Sequence, residues 1–109
     1  MTVNHFVSEA LALAPFRSDA MSKADCFRSP RLFVGLNALQ PGQSQRVHQH
    51  EGADKCYVVL SGKARIVVGA ERQELAAGGI AWAPAGVPHG IEEALEASVI
   101  LVAMAPPSH

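Results

Sequence analysis

From residue 31 onward the chain alternates short apolar runs with turn residues. The runs fall at 32–39, 44–50, 55–60, 64–68, 72–75, 80–83, 89–92 and 98–104, each four to eight residues long. They are separated by Pro41-Gly42, Glu51-Gly52, Ser61-Gly62, Gly69-Ala70, Gly78-Gly79 and the Pro84, Gly86, Pro88 loop. Strands of this length at intervals of about 8–12 residues predict an antiparallel sandwich or closed barrel. No long helical period lies between them, which argues against a βαβ architecture, and no internal repeat is present.

Three of the runs are apolar on both faces: 57–60, 66–68 and 99–104. A strand with one solvated face alternates, so these predict a covered outer face as well as a core-facing one. The cover expected is the segment before residue 31, a second copy of the chain, or both. Residues 1–30 are rich in Ala and Ser, with Pro15 and Pro30 as breakers and no sustained period. They read as an arm, with Ser8 as a candidate cap for a helical turn running to about Ala14. The expected division is thus an arm over 1–30 and a single all-β domain over 31–105.

A length of 109 residues and a 49% hydrophobic fraction suit one domain with its own core. Nine basic against ten acidic residues leave a net charge of -1 without a basic stripe, so neither nucleic acid nor a membrane is expected as a partner. The apolar stretch near Leu11 is short for a signal sequence and lacks a basic flank, which makes the expected compartment the cytoplasm. Cys26 and Cys56 have no metal-ribbon spacing and read as free thiols.

The candidate chemistry lies in the histidines. His5 and His109 sit at the termini. His48 and His50 are separated by one residue on an expected strand, so their side chains share a face, close enough to serve one ion. An edge strand whose polar face simply meets water would carry the same pair. His89 follows the stiff Pro84–Pro88 turn at the start of another strand. The stretch Gly42-x5-His48-x-His50-x4-Lys55-x6-Gly62 resembles the first motif of the cupin superfamily, and Gly78-x5-Pro84-x-Gly86-x2-His89 resembles the second. The resemblance covers about residues 31–104. It implies a single-domain cupin, a double-stranded β-helix or jelly-roll-like antiparallel barrel, with His48, His50 and His89 in the positions of the family's three histidine ligands. The implied cofactor is a divalent metal, with Zn, Ni, Mn, Fe and Cu all compatible with imidazole.

Two positions depart from the family pattern. Glu93 stands where the second motif usually has asparagine, and Lys55 stands where the first usually supplies a glutamate ligand. Two unit charges 4 Å apart repel by ~4 kcal/mol at an effective dielectric of 20, and a divalent ion doubles the charge. Lys55 therefore points away, loses its proton, or marks a barrel without metal; alternatively a one-residue bulge turns Asp54 inward as the fourth ligand and Lys55 outward. Tyr57, Trp82 and Phe33 are candidate pocket residues as well as candidate core. No Ser or Cys sits in a nucleophile motif. Three readings follow: a metal-binding barrel holding a small organic ligand, an anionic one included; a metal-dependent enzyme of oxygenase or isomerase type; and a metal-free barrel that binds or senses a ligand. Pairing of two copies through apolar sheet faces, with the arm contributing, is expected on the grounds of the doubly apolar strands.

Overall fold

The computed structural model describes residues 5–107, so His109 and the first four residues of the arm lie outside the described residues. The described chain is almost entirely β. Nine strands follow one short 3-10 turn at Ala10–Leu13: β1 Ser22–Arg28, β2 Phe33–Leu39, β3 Gln45–His48, β4 Asp54–Ser61, β5 Lys63–Val68, β6 Glu71–Ala76, β7 Ile80–Ala83, β8 His89–Ala94 and β9 Ser98–Ala105. They form a five-stranded sheet in the order β1-β2-β9-β4-β7 and a four-stranded sheet in the order β3-β8-β5-β6, with every pairing antiparallel. The sheets remain two separate hydrogen-bonded layers, so the expected jelly roll is a sandwich rather than a closed ring.

Eight strands coincide with the expected runs, and the differences are local. Strand β1 lies inside the stretch read as an arm and pairs with β2 at the edge of the larger sheet, through a bulge between Asp25 and Phe27. Its sequence, Ser-Lys-Ala-Asp-Cys-Phe-Arg, has polar residues on the face turned to the interior of the sandwich, which hides it from a search for apolar runs. The helical turn begins after Glu9 instead of Ser8 and has no side-chain cap, in keeping with its shortness. Ahead of β1, Gln43 Nε2 donates to the Arg17 carbonyl at 2.9 Å, which ties the arm to the β2–β3 turn.

Between the sheets lie Leu39, Tyr57, Val59, Ile66, Ile91, Ile100 and Val102, with Met21 packed against them. In β4 the period of 2 sends Lys55, Tyr57 and Val59 inward and leaves Asp54 outside. The outer face of the larger sheet divides in two. At β2 and β9 it is buried within the single chain, at Leu36, Ala38 and Val99; at β7, Ile80 and Trp82 are 67% and 66% exposed.

Gly62 turns β4 into β5 with φ 84, a left-handed conformation that favours glycine. A Cβ there would meet the Ala97 carbonyl and stand 2.7 Å from Ser98 Cα. Gly52 has φ 80 but open space around it. Gly52→Ala should therefore cost about 1–2 kcal/mol, the left-handed penalty alone. Gly62→Ala should cost clearly more, because backbone must move. Urea denaturation of the two variants checks the order.

Candidate metal centre

Three elements bring the histidines together. His48 closes β3 and lies directly opposite His89, the first residue of β8, in the pairing of the smaller sheet. His50 lies two residues beyond the end of β3, where the Gly86 N–H donates to its carbonyl at 2.9 Å. That bond fastens the segment to the Pro84–Pro88 loop. On the other side of the loop, the Pro88 carbonyl accepts from the Gly69 N–H at 2.8 Å. The proline-rich turn is thus held from both ends. The three ring centroids stand 4.5, 4.7 and 5.4 Å apart.

Protonation follows from the hydrogen bonds. His48 Nδ1 lies 2.8 Å from the Arg46 carbonyl, and His89 Nδ1 lies 2.8 Å from the Val87 carbonyl. A carbonyl can only accept, so both rings carry their proton on Nδ1 and keep the lone pair on Nε2. His89 is 1% exposed, and its Nε2 is buried without any hydrogen-bond partner. An unsatisfied buried nitrogen costs stability and calls for an occupant. One ring nitrogen from each histidine lies within 4.8 Å of the others. Nitrogens bound at about 2.0–2.1 Å to one tetrahedral ion stand ~3.4 Å apart, so a closure of the rings by about an ångström brings them to one ion. The donor set, its tautomers and the orphaned nitrogen fit a divalent metal.

All three imidazoles are biased toward the neutral form that ligation requires. Burial lowers the pKa of His48 and of His50, and carries His89 down to about 4, with the charge of Lys55 contributing in each case.

The remaining candidates separate cleanly. Lys55 points inward, 4% exposed, with Nζ 3.4 Å from His48 Nε2 and 4.8 Å from the centroid of the Tyr57 ring. Burial, helped by the charge of Lys23, lowers its pKa to about 8. Asp54 is on the other side of the strand, where its Oδ1 accepts from the Ala85 N–H at 2.9 Å. Lys55 and Asp54 pair with Met104 and Ala105 in unbroken register, so the bulge that would exchange them is absent; the one irregularity of the β4–β9 pair falls at Val59/Ser61. Tyr57 is fully buried, donates to Gln45 Oε1 at 2.7 Å, and has its pKa raised by burial. Trp82 belongs to the outer face: in antiparallel register with Cys56, it turns away from the inward row of Lys55 and Tyr57.

A cavity of about 490 Å³ opens beside the histidines, lined by His48, His50, Lys55 and Phe33 and by the charged side chains of Lys23, Asp25, Arg28 and Arg46. Asp25 is 4.0 Å from Arg28. Lys23, Arg46 and Lys55 have no carboxylate partner among the described residues, so the cavity is electropositive. Sequence reasoning passed over Lys23, Gln45 and Asn37. The polar residue inside the apolar run 33–39 was the one signal pointing to Asn37.

Residues 35–104 match the family model described as Cupin domain. An uncharacterized protein of Streptomyces coelicolor is 38% identical over 80 residues, 73% of this chain and 75% of its own length. The crystal structure of a Thermus thermophilus protein superposes with a TM-score of 0.86 at 42% identity, covering 92% of this chain and 96% of that one. A Klebsiella pneumoniae protein with a double-stranded β-helix domain shares the fold with a TM-score of 0.85 at 23% identity, over 95% of this chain and 91% of its own. Among the described residues no helix is long and apolar enough to cross a membrane.

A titration of metal-stripped protein checks the buried histidine. His89 is neutral in the folded chain down to about pH 4, whereas the unfolded chain protonates it near 6.5. Between those values the unfolded state binds the extra proton, so stability is intact above about pH 6.5 and falls as pH drops toward 4. The melting temperature should decline across that window, and His89→Gln should flatten the decline.

Proposed function

The chain belongs to the cupin family, and we propose that within it the protein is a small metal-binding barrel that holds a small anionic organic ligand. In this reading His48, His50 and His89 bind one divalent ion, His48 and His89 through Nε2. The observation that carries it is the buried, partnerless Nε2 of His89, facing two further histidines while its Nδ1 is committed to the Val87 carbonyl. When bound, the ion would supply a Lewis-acid centre. The chain's own residues divide the remaining work. The Arg46 and Val87 carbonyls fix the ring orientations, as the outer partners of metal-bound histidines commonly do. Lys23, Arg46 and Lys55 make the cavity attractive to anions. Gln45 and Tyr57 brace each other at its inner wall.

A second reading rests on its own observation. Lys55 Nζ, 3.4 Å from His48 Nε2, is placed to donate to the same lone pair that a metal would use. This favours a metal-free barrel in which the lysine takes the ion's place. Elemental analysis and metal titration of untagged protein separate the two. The metal reading expects one Zn, Ni, Mn, Fe or Cu ion per chain, lost in the His48→Ala/His50→Ala double variant while the far-ultraviolet spectrum is retained. Lys55→Glu should then tighten metal binding by at least about tenfold, because a repelling charge is replaced by a carboxylate ligand. A protein that takes up none of these metals is the metal-free barrel.

We also infer a homodimer joined through the outer face of the larger sheet. Exposed Ile80 and Trp82 lie there beside half-buried Cys56 and Val58, and Leu11, Leu13 and Phe16 of the arm are also exposed. Contiguous apolar surface of this kind commonly marks an interface. Sedimentation equilibrium should give a dimer for the full chain and a monomer for the Ile80→Glu/Trp82→Glu variant. Deleting residues 1–20, which spares β1, should weaken the dimer if the arm takes part.

A further inference from the structure

Behind the histidines the interior contains polar groups that neither the core nor the metal centre uses. Asn37 is 4% exposed in the middle of β2, and its Nδ2 is buried without a hydrogen-bond partner. Its neighbours across β1 and β9 are Lys23 and Ile100, so no strand partner offers it an acceptor side chain. Lys55, equally buried, sets its ammonium against an imidazole nitrogen and the face of an aromatic ring, and no carboxylate pairs with it among the described residues. Both residues line one recess of about 60 Å³, together with Lys23 and Gln45. Gln45 accepts from Tyr57 through Oε1, which leaves its Nε2 as a donor. The recess adjoins the larger cavity, and Lys23, Gln45 and Lys55 line both.

The imbalance in this recess is chemical. Two lysines and two side-chain amides are among its lining residues, beside apolar Phe33, Val102 and Met104, and it contains no carboxylate. Asp25 lies in the larger cavity beside Arg28. Burying a donor or a cation without an acceptor is unfavourable by about 1–3 kcal/mol for the donor and by more for the charge. An apolar side chain at position 37 would remove that cost, so the polar residues are explained by an acceptor that the chain itself does not supply. The recess is too small for a whole organic molecule and suits a single planar anionic group. We propose that Lys55, Lys23, Asn37 and Gln45 form a carboxylate subsite, which seats the carboxylate of a small organic acid while the rest of that acid occupies the larger cavity beside the histidines. The proposal rests on the anionic-ligand part of the proposed function and is independent of the metal.

Lys55 links the subsite to the histidines. Its ammonium has three hydrogens, of which one faces His48 Nε2. The other two remain for a carboxylate, so binding does not require the histidines to be occupied. When His48 commits its lone pair elsewhere, Lys55 loses that acceptor and the carboxylate becomes its principal partner.

The test uses chelator-treated, nitrogen-15-labelled full chain titrated with acetate, pyruvate, malonate, methyl pyruvate and inorganic phosphate. The reporter is the side-chain NH2 signal of Asn37, identified by its loss in Asn37→Ser. At least one of the three carboxylates should shift this signal saturably, and methyl pyruvate, which lacks the charge, should not. Lys55→Met should weaken the binding at least about tenfold, the scale of one charge-assisted hydrogen bond. Lys23→Met, at an exposed position, should weaken it less and serves should Lys55→Met fail to fold. Because the titration uses chelator-treated protein, carboxylate binding is read without any metal, so a failure of the metal reading leaves this outcome distinct. The proposal is overturned if no carboxylate moves the Asn37 signal, if the ester moves it equally, if the folded lysine variants bind as the parent does, or if phosphate binds more tightly than every carboxylate.

Discussion

The candidate site depends on the register between β3 and β8. That pairing sets His48 directly across from His89, and glycine at position 90 permits it. A Cβ at Gly90 would stand 2.8 Å from the Gln45 carbonyl oxygen and 2.9 Å from Val47 Cα, so only a bare backbone allows the strands to approach this closely. The same short strand delivers Gln45 to the interior, through an irregularity between Gln45 and His48. A slip of one residue would turn the histidine of β3 out to solvent and remove the partner of Tyr57.

Polar groups are concentrated at one end of an otherwise apolar interior. Farther in, Leu39, Val59, Ile66, Ile91 and Ile100 pack as ordinary core. Near the opening, the inward rows change to Lys55 and Tyr57 on β4, Asn37 on β2, and Lys23 and Asp25 on β1. Lys23 and Asp25 are exposed at the opening, whereas burial of Lys55, Tyr57 and Asn37 opposes folding unless a partner is found. Tyr57 has one in Gln45, whereas Lys55, Asn37 and the His89 Nε2 do not have a conventional one. Their common location beside one electropositive cavity makes a shared ligand environment the economical explanation.

The larger sheet has two different jobs on its two faces. Its inner face carries the site and half of the core. Its outer face is apolar from β2 to β7 but is covered within the chain only at the β2 and β9 end, where Leu36, Ala38 and Val99 are buried. The doubly apolar strands thus correspond to an outer face that the chain covers at one end and leaves exposed at Ile80 and Trp82.

The sequence alone determined the all-β architecture, because turn residues bound short apolar runs at regular intervals, and that signal is local. It also marked His48 and His50 as neighbours by their spacing, while His89 joined them through the resemblance of the two motifs to the cupin family. Strand β1 escaped because its inward face is polar, and nothing local tells a strand that borders a cavity from a solvated arm. Only the tertiary structure decided between Asp54 and Lys55: both satisfy the motif spacing, and the choice rests on the unbroken register of β4 with β9. It also moved Trp82 from candidate pocket to exposed outer face, since the face a strand residue takes is set by its register with Cys56. The recess of Lys23, Asn37, Gln45 and Lys55 draws on four consecutive strands divided between the two sheets. Such a convergence exists only once the sheets have packed, because the sequence records which side chains are polar and the fold decides which of them meet.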